Sequence, residues 1–509
     1  MIIYKKPLPK KSTGFFSLIA LVLLCFITLQ NAFATFDYST QYQKAMSEIL
    51  SLKLENGRAI LNQAKTTEPN NHLLLLAEDY IDFFTILINE NQTEYEKLVK
   101  NKSARISQIE KGDKKSPWYN YCKAEIYIHW ATNRIRFGDY LKAATEIREA
   151  YKLLEENIGN HPDFLPNKKT MGMLETLVGT VPEGYQWVVN IVGMDGDINK
   201  GMDKIKLVIN SKSTLNYVPQ LKQEALFIYV YLQMFIVKKP QEAWDLVEKH
   251  TSDYKTNLLS CYLRANIALK SKRTNEAITV LQNRPRGKEY HKFYYLDYLL
   301  GTAKLFRGDD DAHTYFKIYV SFHTGTNFIK SAYMRLSWFY FLEGNEEKYN
   351  IYRSMVKTLG TAEVEEDKRS LKMVESGEKP DKTLLVTMLA FDGGYYTKAI
   401  NTLNSKKASD YTSDELRLEY NYRKARVLHE QGNTDAAVDL YKLVMEEGKD
   451  QPYYFAANSS LMLGDIYEDL KLNSTACSYY KRCSKFPNKE YRNSIQQKAK
   501  AGMKRVGCN

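Results

Sequence analysis

The chain predicts an all-α protein, an α-solenoid of stacked helix pairs. Apolar residues recur at three- and four-residue spacing along nearly its whole length, and strand-like alternation is confined to short runs. The 25 glycines and 13 prolines fall mostly between the periodic segments. Those segments also return at near-constant intervals. Ala399, Ala437 and Ala476 lie 38 and 39 residues apart, and Ala243 and Ala277 lie 34 apart. One helix pair cannot bury its apolar face alone, so neighbours must stack.

The first element is a leader. Lys5, Lys6, Lys10 and Lys11 precede an uncharged apolar stretch from Phe15 to Leu29, followed by Ala32 and Ala34 at the small-residue positions of an export peptidase site. This predicts a signal peptide over 1–34, cleaved after Ala34, and an exported protein of the periplasm, envelope or extracellular space. The competing reading is a leader retained as an anchor. Leu24 precedes Cys25 where a lipoprotein site takes a small residue, so lipidation is not expected. The leader carries four lysines and no acid, so its loss lowers the formal charge from +12 to +8. The charges are interspersed, with no nucleic-acid arm. GDKKSP (Gly112 to Pro117) reads as a solvated loop. Ala225 to Val237 is too short to span a bilayer and reads as a buried helix.

Four segments follow. N-terminal helical repeats occupy 35–165, with Ala64 and Pro69 closing one unit and Gly138, Ala143 and Ala150 marking another. An irregular glycine-rich helical block covers 166–220. Degenerate repeats fill 221–380, marked by Ala265, Leu300, Gly301, Gly308 and Ala312, then Tyr333, Leu336, Tyr340 and Gly344. The C-terminal repeats, 381–509, end in a capping helix at about Glu490 to Val506. The small residues let paired helices approach, and most of the 38 tyrosines read as packing and groove residues.

The last units carry a recognisable pattern: Leu463, Gly464, Tyr467, Ala476, Tyr480, Cys483 and Pro487, preceded by Ala425, Leu428, Gly432, Ala437, Tyr441 and Val444. This resembles the tetratricopeptide repeat, which implies helix-turn-helix pairs and a protein-binding groove. The overall organisation resembles exported tetratricopeptide-like proteins of Bacteroidota. In the glycine-rich block, Pro182, Trp187, Gly193, Gly196, Asp197 and Gly201 resemble the eukaryotic inclusion-body-clearance (tetratricopeptide-39) family. That group lacks an export signal, so its intracellular role does not transfer.

Few residues invite chemistry. Asp195, Asp197 and Asn199 alternate as calcium ligands do, but the loop puts Lys200 at its sixth position, with Gly201 one place late. Lys206 stands where the bidentate glutamate belongs. A helix-capping turn is the expectation. Asp309, Asp310 and Asp311 read as a turn and the first turn of a helix, with His313 beside them as a weak metal candidate. The eight histidines form no HExxH pair, and no nucleophile elbow, phosphate loop or dinucleotide fingerprint occurs. No catalytic, cofactor or metal residue is assigned, no cofactor is expected, and the groove residues are left unnamed. Cys483 reads as a buried free thiol. Cys477 faces the capping helix near residue 499, so a bridge to Cys508 requires the tail to fold back. The functional expectation is a non-catalytic scaffold for a protein or peptide partner. The alternative is a membrane- or lipid-associated protein using the apolar block near Trp187.

Overall fold

The computed structural model describes residues 35–181, 186–193 and 195–508. The Ala34 cleavage site, Cys25 and Pro182 lie outside the described residues. Within them the chain is helical throughout, and its one β-feature is an isolated bridge between Thr35 and Asn71. The all-α expectation holds.

Helix starts follow from side-chain caps. Ser39 accepts the Tyr42 amide, Ser116 accepts that of Trp118 with Pro117 at the first helical position, and Asn257 accepts two amides. The helices run as consecutive packed pairs such as Pro117–Arg136 with Tyr140–Asn160 and Asp414–Glu430 with Thr434–Glu447. The small residues named from spacing sit where paired helices meet: Ala64, Ala243, Ala265, Ala277, Ala312, Ala399, Ala437 and Ala476 are fully buried.

The chain forms two compact units. One comprises residues up to Leu87 and Gln92–Tyr229; the other comprises Ile88–Asn91 and Val230–Asn509. In the first, the glycine-rich block packs Leu165–Val178 against Ile198–Ile209 through bare backbone. A Cβ on Gly172 would stand 2.6 Å from the Gly201 carbonyl oxygen, and one on Gly201 would stand 2.5 Å from that of Gly172. Only glycine permits this approach.

Two expectations need correction, and one open pairing is closed. Ala225 to Val237 is not one buried helix: the α-helix Val218–Leu232 gives way to a π-turn, Gln233–Val237, which ends in left-handed Lys238. Tyr231 is exposed, since a stretch apolar all round cannot bury every side against one neighbour. The capping helix is Arg492–Arg505, and the tail beyond it does fold back, placing Cys508 in a disulfide with Cys477 at a Cα separation of 5.6 Å. Gly507 at positive φ turns the chain there. Asp311 precedes Ala312–Phe322 without capping it. The buried Lys304 instead pairs with Asp309 and Asp311, and Arg307 pairs with Asp309.

Candidate ligand-binding channel

Helix Asp414–Glu430 presents Tyr422, Arg423 and Arg426 on one face, because positions three and four apart lie one above another. Arg426 brings its Cζ 4.1 Å from the ring centroid of Phe391, a buried residue of helix Lys382–Asp392. Lys272, left-handed in the turn after Leu258–Lys270, places its ammonium 4.0 Å from the same ring. That ammonium pairs with Glu430 at 2.9 Å, and the Tyr396 hydroxyl donates to Glu430 at 2.9 Å. A cation over an aromatic face is held by the ring's quadrupole, more strongly when water is excluded.

From Arg426 the ring series continues. Tyr422 lies 5.8 Å from Tyr454, which lies 4.8 Å from Tyr491, and the Arg369 guanidinium stands 5.6 Å from Tyr491. Arg423 pairs with Glu419. Lys498 of the last helix is solvent-accessible, yet burial lowers its pKa. The facing charges of Lys238, Arg426 and Arg369 lower it further, with Asp465 opposing. Burial likewise lowers the Lys272 pKa against the pull of Glu430. Arg369, Arg426 and Lys498 form no ion pair among the described residues.

These residues come from sequence positions 238 to 498, all within the second unit. Reading the sequence missed them because each is an ordinary solvated cation or core ring locally. The one signal was the excess of tyrosine and basic residues.

The residues that the sequence did single out serve structure. Asp197 caps Ile198–Ile209 by accepting the Lys200 amide at 3.0 Å, while Asp195 and Asn199 are exposed. His313 meets the Asp310 carbonyl at 3.0 Å. No group of three metal-ligating side chains converges among the described residues. Trp187, on the seven-residue helix Gln186–Val192, is 40% exposed. No described helix is long and apolar enough to cross a membrane.

The first unit holds a second polar cluster, buried except for the half-buried Glu224. Lys169 bridges Glu125 at 3.0 Å and Glu224 at 2.8 Å, and the Tyr80 hydroxyl donates to Glu224 at 2.9 Å. Burial opposes the Lys169 charge, but Glu125 and Glu224 outweigh it and raise its pKa. Beside them Asp79 is bonded by Arg105, His129 and the Trp130 indole at 3.1, 2.8 and 3.0 Å. The cavity between Tyr38, Trp118, Tyr217 and Glu224 measures about 20 Å³, room for one water and no more. This cluster is part of the core of the first unit.

Comparisons with known proteins address the repeats. Residues 457–489 match the tetratricopeptide repeat family. They cover Phe455–Asp469 from its third residue and all of Asn473–Arg482, where Gly464 admits the Tyr480 ring and Ala476 is fully buried. The chain is tetratricopeptide-like there by sequence as well as by helix pairing. No curated protein matches the chain. Among solved structures, the P58(IPK) TPR domain is matched at 15% identity, covering 81% of this chain and 97% of that one, with a TM-score of 0.23.

Proposed function

We propose that the protein is an exported, non-catalytic scaffold that holds an acidic segment of a protein partner in the channel of its second unit. The carrying observation is that Arg369 and Arg426 lie over rings of one series without ion pairs of their own, with the charge of Lys498 felt by both. Clustered cations in a partly desolvated concavity attract an extended anionic chain, and the rings supply apolar contact along it. Stacked helix pairs provide such extended surfaces.

Export is supported by two independent features. The basic, apolar and small-residue regions of the leader have the order of a signal peptide. The Cys477–Cys508 disulfide suits an oxidising compartment. The remaining thiols, Cys122, Cys261 and Cys483, are buried, and burial pushes Cys261 and Cys483 up to about 12, so they stay protonated.

The test is titration of the chain from Thr35 onward with a fluorescent oligoglutamate peptide. Saturable, salt-sensitive binding is expected, weakened about tenfold or more by Lys498→Glu and by Arg426→Ala. Equal affinity for an uncharged peptide of the same length would overturn the reading. A second reading, association with a lipid surface, rests on the exposed Trp187. Flotation with anionic vesicles tests it, and loss of flotation in Trp187→Ala is its expected mark.

A further inference from the structure

Helix Asp414–Glu430 has a second polar face. Tyr420, Asn421 and Lys424 lie roughly opposite Tyr422 and Arg426 around an α-helix that turns about 100° per residue. With Asn404, Lys406 and Lys407 they line an open surface pocket of about 390 Å³ within the second unit.

The interior of this cavity is organised. The Tyr420 hydroxyl donates to the Lys406 carbonyl at 2.9 Å and to that of Leu403 at 3.3 Å, fixing the loop that carries the lysines. Asp410 accepts the Lys407 amide at 2.8 Å, leaving the Lys407 side chain exposed. Lys406 is tied to Asp381 at 2.9 Å. Lys407 and Lys424 have no ion pair among the described residues, and Lys424 lies 5.8 Å from the Tyr420 ring centroid.

Asn421 is the deciding residue. It is 6% exposed, and its carboxamide has no hydrogen-bond partner among the described residues. Its nitrogen and oxygen nevertheless remain reachable by solvent, and the cavity is the space they reach. A ligand seated there would give the carboxamide a directed partner in place of solvent.

We propose that this cavity binds a phosphate group, free or esterified. Lysine ammonium groups act as point charges suited to a phosphate dianion, and no arginine fork is present to select a planar carboxylate. The Asn421 amide donates a directed hydrogen bond between the Lys407 and Lys424 charges. The site shares no residue with the peptide channel and stands or falls independently of it.

The experiment is calorimetric titration of the chain from Thr35 onward with inorganic phosphate and with glycerol 3-phosphate. Flotation with phosphatidylcholine vesicles doped with phosphatidic acid forms a third arm. Saturable binding is expected, weakened about tenfold or more in Lys407→Glu/Lys424→Glu and about threefold in Asn421→Ala. The lysine variant alters only exposed or half-exposed side chains, so an unchanged melting temperature shows that it folds. Binding of both soluble anions without flotation assigns a soluble phosphate; flotation lost in the lysine variant assigns a lipid headgroup. Absence of saturable binding in all three arms, or binding that survives in the lysine variant, overturns the proposal.

Discussion

Lys169 shows how much a single side chain can hold. Its ammonium pairs with the buried Glu125 and the half-buried Glu224, and removing the cation from such a set leaves uncompensated charge. Lys169→Met is expected to destabilise the first unit by about 3–5 kcal/mol, measured by urea unfolding at neutral pH. Asp367 is a different case. It accepts the Phe328 and Ser331 amides at 2.5 and 2.8 Å, yet burial dominates and raises its pKa to about 6. The folded state therefore holds this proton more tightly than the unfolded chain, whose aspartates titrate near 3.9. Stability should fall as pH rises from about 4 to about 6, by at most about 3 kcal/mol. Asp367→Asn should flatten that part of the stability–pH curve; an unchanged slope would refute the assignment. Neither role was legible in the sequence. Lys169 stands in a run that reads as a helix start, and its partners are 44 and 55 positions away.

At the scale of elements, the glycine-rich block owes its irregularity to close packing. Gly201→Ala should cost about 1–3 kcal/mol, because the added methyl meets backbone that cannot yield locally. Gly159→Ala, with open space around its Cβ position, should be neutral or stabilising by up to about 1 kcal/mol. Comparing their melting curves separates steric from conformational effects. The disulfide closes a loop of sequence separation 31 and anchors the last helix. Cys477→Ser/Cys508→Ser should lose about 3–4 kcal/mol by loop entropy, read from chemical denaturation. Element positions were largely legible: the buried alanines and the Asp197 cap follow from local spacing. Asp309–Asp311 do form the turn before a helix, but their pairing with Lys304 and Arg307 was not legible, because it depends on how the helix end meets its turn. The fold-back to Cys508 stays undecided in the sequence for the same reason, since it hinges on the few residues after Arg505.

At the scale of the molecule, the channel draws on turns and helices from Lys238 to Lys498, so its charge is a property of stacking and not of any repeat. Raising ionic strength should weaken oligoglutamate binding steeply while leaving the melting temperature almost unchanged. The reason is that partly exposed charges are screened and the alanine-lined contacts are not. A fluorescence titration at several salt concentrations reads this directly.

The sequence by itself determined that the chain is helical, that its helices pair, and where the last repeat lies. Those features rest on periodicity and on small residues at fixed offsets, and both act within some forty residues. Tertiary structure alone decided which cations face one another, which carboxylates are buried, and that Asn421 opens onto a lysine-lined cavity. Such groups interact across space, so their roles appear only once distant repeats are stacked.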